Sequence, residues 1–265
     1  MRCGVMAQPL RSAFRFLALV YLLTLPWWLL SRFVTLDGLP DNLPVTDIGA
    51  TFMPALAALI LVFRDAGVSG VRALLARVLD WRKIKSAGWL AVILVLPLGL
   101  YSLTYLVMRA TGLPVPASLA LSPELTFVFP LFMLAAAGEE LGYTAYATDL
   151  LQQRYSALLS GLIIGVPWAL WHLPSMIQVG QAPGLIMWGL LATVAFRVIY
   201  AWLYNNAGGS LFAIILFHAV ANTGRSAFPG GRAAYELHNG AIGYAIIICL
   251  GLGLALAYRP KTLMR

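Results

Sequence analysis

One apolar run after another, each close to the length that crosses a bilayer, limits this chain more than any other feature. A membrane helix needs about 20 mainly apolar residues. Runs of that kind cover roughly 14–30, 47–63, 87–108, 125–148, 156–173, 184–204, 209–223 and 241–258, about eight spans by the length rule. Hydrophobic residues are 61% of the chain and charged residues 11%, against about 25% charged in a soluble domain. In hydrocarbon every backbone polar group must be satisfied within the segment, which favours helices. The expected fold class is therefore all-α: a polytopic membrane protein with about eight transmembrane helices in one bundle, residues 1–265 forming a single transmembrane domain around an intramembrane polar cavity.

A net charge of +8 invites comparison with nucleic-acid binders, but its distribution points to lipid. With the N-terminus inside, the inner connections take Arg2, Arg11, Arg15, Arg64, Arg72, Arg77, Arg82, Lys83, Lys85, Arg154, Arg259, Lys261 and Arg265. The outer ones take only Arg32, Arg109, Arg225 and Arg232. That asymmetry follows the positive-inside rule. The expected location is the cell membrane, multi-pass, with both termini cytoplasmic, the lipid bilayer as a partner and no nucleic acid. The first run is expected to stay as an anchor, since no small-residue cleavage site follows it and Trp27 and Trp28 form an interfacial belt. The stretch after the second run spaces Val71, Leu74, Leu75, Val78 and Leu79 helically between arginines, as in an amphipathic helix on the cytoplasmic leaflet. Cys3 and Cys249 lie near opposite ends and offer no metal or disulfide framework.

Against this background the polar residues inside the runs stand out. "GEELGYTAY" puts Glu139 and Glu140 in the fourth, "GVPWALWHLP" puts Trp168 and His172 in the fifth, Arg197 lies in the sixth, and "LFHAVAN" puts His218 and Asn222 in the seventh. A charge at the bilayer centre costs at least about 2.5–3.5 kcal/mol, so intramembrane acids are functional candidates by default. Residues four apart share a helix face, which pairs Trp168 with His172 and His218 with Asn222. The two glutamates are about 100° apart on their helix, so one is expected to face the site and the other to support it. A carboxylate here can take a proton from water, a histidine can orient that water, and an amide with an imidazole N–H can hold an oxyanion. Alternatively Glu139, His172 and His218 are three suitable ligands for Zn2+ or another divalent metal, with water completing the set. Taken singly, each histidine and Asn222 also reads as interhelical glue, and Arg197 as half of a structural ion pair. His238, in "GGRAAYELHNG", reads as solvated.

The three clusters resemble the motifs of the CAAX protease and bacteriocin-processing family, also called Abi-type intramembrane proteases: EExxxR, FxxxH and HxxxN. "EELGYT" (139–144), "WALWH" (168–172) and "HAVAN" (218–222) stand in the same order, and the motif-bearing core covers about 125–223. Trp168 replaces the usual Phe, and Thr144 replaces the Arg that would neutralise Glu140; Arg197 is expected to supply that cation instead. The resemblance implies an endopeptidase in which Glu139 is general base or metal ligand, Glu140 supports it, His172 orients water or binds metal, and His218 and Asn222 stabilise the oxyanion. It implies a peptide or lipidated protein as substrate. The rival readings are a non-catalytic scaffold or bacteriocin self-immunity protein on the same fold, and a proton-relaying transporter, which would show discontinuous helices and repeat symmetry.

Overall fold

The computed structural model describes residues 8–30, 33–34, 45–116 and 125–264. Arg2, Cys3, Arg32 and Arg265 lie outside these residues. The helices are α1 (Gln8–Leu30), α2 (Val45–Ala50), α3 (Met53–Ala76), α4 (Ala87–Ala110), α5 (Leu125–Gly142), α6 (Asp149–Gln152), α7 (Ala157–Gln178), α8 (Pro183–Asn206), α9 (Leu211–Ser226), α10 (Gly231–His238) and α11 (Ile242–Ala257). A π turn, Tyr143–Thr148, joins α5 to α6. No strand occurs among the described residues.

All eight expected runs are helical, but eight full spans do not result. Six helices are long and apolar enough to cross a membrane, or up to seven if α9 and α10, bent by 90° at their junction, count as one broken span. The last run, α11, is 16 residues long, which at 1.5 Å per residue falls short of a hydrocarbon core of about 30 Å. "GGRAAYELH" is thus a helix folded back against the bundle rather than an outer loop, although His238 itself is exposed.

The bundle closes as a ring, α5 packing on α3 and α9, α3 on α1, α7 on α8, α8 on α11, and both α11 and α9 on α4. Two pairs of small residues let the polar helices come close. A Cβ on Gly138 would meet the carbonyl of Thr51 at 2.7 Å, and one on Gly142 that of Pro54 at 2.5 Å. These glycines bracket Glu139 and Glu140 and bring the start of α3 against them. Likewise a Cβ on Gly161 of α7 would meet the Arg197 carbonyl of α8 at 3.1 Å, and one on Gly165 the Val194 Cα at 3.3 Å. Small residues four apart are the usual means of close helix approach in lipid.

The basic segment after the second run departs from expectation. Gly67, at φ 62° and ψ −157°, breaks α3, and the chain beyond it docks on the bundle instead of lying only on lipid. Leu74 is buried, while Leu75 and Leu79 stay exposed. Arg77 donates to the Ala145 carbonyl and to Asp149, at 2.8 and 2.7 Å, and to the Tyr204 hydroxyl. It is a structural tie as well as a positive charge on that side.

Candidate active site

Glu139 and Glu140 end α5, both buried, and have different surroundings. Glu140 is saturated. Arg197 of α8 donates to it from both terminal nitrogens, at 2.8 Å each. Thr144 donates at 2.5 Å, and His218 Nδ1 lies 2.9 Å from Oε1. The cation that the first motif lacks at position 144 thus arrives from α8, as expected from the sequence. Three rings surround that guanidinium: Trp168 at 4.0 Å and Tyr143 and Tyr200 at 5.0 Å from its carbon, close enough for cation–π attraction.

Glu139 is held more lightly. The Trp168 indole N–H donates to its Oε2 at 2.8 Å, and the Thr51 hydroxyl to its Oε1 at 3.3 Å. The same Oε1 stands 4.0 Å from His218 Nε2. His218 therefore bonds Glu140 through Nδ1 and faces Glu139 with Nε2, the geometry that an offset of about 100° on one helix permits.

His172 belongs to the same group through Trp168. Its Nδ1 lies 2.8 Å from the Trp168 carbonyl, which can only accept, so Nδ1 carries the proton and a neutral ring keeps an acceptor at Nε2. Its ring meets those of Trp168 and Trp171 edge-on, with centroids at 4.9 Å from each. The helix of the fifth run, α7, goes on to Gln178 through Pro174, past the end expected at 173, and His172 is well inside it rather than at its end. Asn222 stands one turn after His218, half-buried, and its Oδ1 accepts from Arg225 at 3.1 Å. A cavity of about 10 Å³, roughly the room one water needs, borders Thr144, Arg197 and Tyr200, and neither Glu139 nor either histidine lines it.

No three of His, Cys, Asp and Glu come together in a group that would hold a metal among the described residues. Of the expected ligands, His218 approaches Glu139 only to 4.0 Å and gives its Nδ1 to Glu140, and His172 turns Nδ1 to a carbonyl. As placed, the three do not fit a metal-ligand set.

Thr51, Tyr143 and Tyr200 had no role in the sequence reading, and Arg225 entered it only as an outer charge. Nothing local marks Thr51: its contact with Glu139 crosses 88 positions and depends on the approach that Gly138 and Gly142 allow. Arg225 did carry a signal, lying three residues after Asn222 and so on a neighbouring part of the same helix.

The family model described as "Type II CAAX prenyl endopeptidase Rce1-like" matches residues 121–224, the segment that holds every motif residue above. A protein of Methanococcus maripaludis, "CAAX prenyl protease 2", is 33% identical over 109 residues, a match spanning 38% of this chain and 40% of that protein's length. The three motifs on which the sequence resemblance rested all lie within residues 121–224, and over that segment the chain is similar to CAAX prenyl endopeptidases.

Proposed function

We propose that the chain is an intramembrane endopeptidase that cleaves a peptide bond near the C-terminus of a prenylated, membrane-associated protein, using water activated by Glu139. The observation that carries this reading is the unequal treatment of two adjacent acids. Glu140 is neutralised by a bidentate guanidinium, whereas Glu139 keeps Oε1 facing His218 across 4.0 Å with no cation bonded to it. A purely structural pair would have no use for the second acid.

In this reading Glu139 takes a proton from a water that also donates to Nε2 of His172, and the oxygen attacks the scissile carbonyl carbon. The oxyanion that forms is held by the amide of Asn222 and by His218. An ionised Glu140 can only accept, so His218 Nδ1 is a donor; a second donor at Nε2 requires the doubly protonated ring, whose charge then balances that of Glu139. Glu139 returns its proton to the leaving nitrogen as the C–N bond breaks, giving a carboxylic acid and an amine. The chain is multi-pass in the cell membrane in this proposal, its basic connections facing the cytoplasm.

Incubation of the purified protein in lipid vesicles with a farnesylated CAAX-type peptide tests it. Release of the C-terminal tripeptide is expected, and Glu139→Gln should lower the rate by at least about 10²-fold, the scale of a lost general base. Equal rates for the variant and the wild type overturn the proposal. A chelator is expected to leave the rate unchanged; stoichiometric bound metal and loss of activity on chelation would instead favour the metal-bound form of the reaction.

A further inference from the structure

Asn222 has two faces, an oxygen that accepts and an NH2 that donates, and only the second can stabilise a negative oxygen. The two differ little in shape, so something must hold the amide one way round. Arg225, on the same helix, donates from Nη2 to Oδ1 of Asn222 at 3.1 Å. A guanidinium has no acceptor, so the oxygen must face it and the NH2 must face away. Arg225 is itself anchored. Nη1 pairs with Glu236 of α10 at 3.1 Å, and the same Glu236 oxygen takes Arg232 Nε at 2.6 Å.

The fold brings Glu236 there by bending. Gly230, at φ 86°, turns the chain after α9, and α10 lies back at 90°. Tyr235 pins it, meeting Tyr101 of α4 and Phe228 with centroids at 5.0 and 5.4 Å. Gly224 lets α4 and α9 approach, since a Cβ there would strike Tyr101 at 2.7 Å. The bend between α9 and α10 thus brings a buried acid to an arginine that faces an asparagine.

We infer that Arg225, clamped by Glu236, is a positioning residue that sets the orientation of the Asn222 amide toward the oxyanion; this rests on the peptidase reading above. Losing an oxyanion donor outright costs about 10²–10³-fold in kcat, and losing only its orientation should cost a fraction of that, about tenfold.

The test is a double-mutant cycle on the full chain in vesicles, with kcat and KM for the farnesylated peptide measured separately. Arg225→Met is expected to lower kcat about tenfold with KM within about twofold, and Arg225→Lys, which keeps a donor, to recover most of the loss. In an Asn222→Ala background Arg225→Met should lower kcat no further, because the group it orients is gone. Glu236→Gln, gentler on folding, should lower kcat in the same direction without changing KM. An unchanged kcat in Arg225→Met and Glu236→Gln, a loss seen equally in the Asn222→Ala background, or an effect on KM alone overturns the inference. Where Glu139→Gln abolishes turnover and these results appear, the inference fails and the peptidase reading stands. Equal turnover by wild type and Glu139→Gln overturns both.

Discussion

At Trp168 the indole N–H donates to Glu139, the ring lies against the Arg197 guanidinium and the backbone carbonyl takes the Nδ1 proton of His172. Trp168→Phe removes only the first of these. Hydrogen bonds to charged groups are worth about 1.5–3 kcal/mol of stability, so the melting temperature in detergent should fall by a few degrees, and peptide cleavage should slow because Glu139 loses the donor that fixes its Oε2. Arg197→Met is a different kind of change, leaving Glu140 buried without its partner at a cost of roughly 3–5 kcal/mol. Melting should drop steeply, and Glu140→Gln in the same chain should restore much of it. At this scale the sequence singles out Glu139, Glu140, His172, Arg197, His218 and Asn222, which are conspicuous among apolar neighbours. It could not tell who holds whom: that Thr51 reaches Glu139 across 88 positions is decided by how near the helices approach, and that Arg225 turns to Asn222 depends on the Glu236 that anchors it.

Among the elements, the turn between α5 and α6 shows how the site's geometry is held. A π turn leaves carbonyls out of the regular ladder, and such turns recur at functional sites. Here the Tyr143 carbonyl takes the Thr148 hydroxyl at 2.9 Å and the Ala145 carbonyl takes Arg77 at 2.8 Å. The turn carries Thr144, bonded to Glu140. Neighbouring Gly142 has no room for a methyl group, with the Pro54 carbonyl 2.5 Å from where it would be. Gly142→Ala should therefore destabilise by about 1–3 kcal/mol through overpacking and impair turnover by pushing α3 and Thr51 away from Glu139; melting temperature and cleavage rate should fall together. Helix existence was legible from the apolar runs. Their ends were not, because Pro174 reads as a stop while α7 continues through it to Gln178, and the bend into α10 depends on Gly230 and on the packing of Tyr235 rather than on composition.

Across the whole molecule, segments far apart in sequence are stitched at one end of the bundle. Asp80, just past the docked basic stretch, accepts the backbone N–H of Phe212 and the Ser210 hydroxyl at 3.0 Å each and pairs with Lys83 at 2.9 Å, capping α9 from outside. Burial alone would raise its carboxyl, but the N–H of Phe212, Lys83 and Ser210 outweigh it and hold it below the ordinary carboxylate value. A depressed carboxyl contributes stability that is complete above its unfolded value, near 3.9, and is lost as pH falls through the lower folded value. Asp80→Asn should therefore melt a few degrees below wild type at pH 7, in line with roughly 1–2 kcal/mol for a lost cap. The gap should close below about pH 4, as melting scans at several pH values would reveal. The all-helical membrane class was plain from the apolar runs, whereas the number of complete spans was not, since α9 and α11 look like crossings in composition and fall short in length.

The Glu140–Arg197 pair also bears on how such a chain can be made. The acid leaves the ribosome 57 residues before the base, so for that interval α5 carries two carboxylates and no guanidinium to meet them, at a penalty of several kcal/mol if lipid surrounds them. That penalty is relieved once α8 is made, which couples the settling of α5 in the bilayer to the arrival of Arg197.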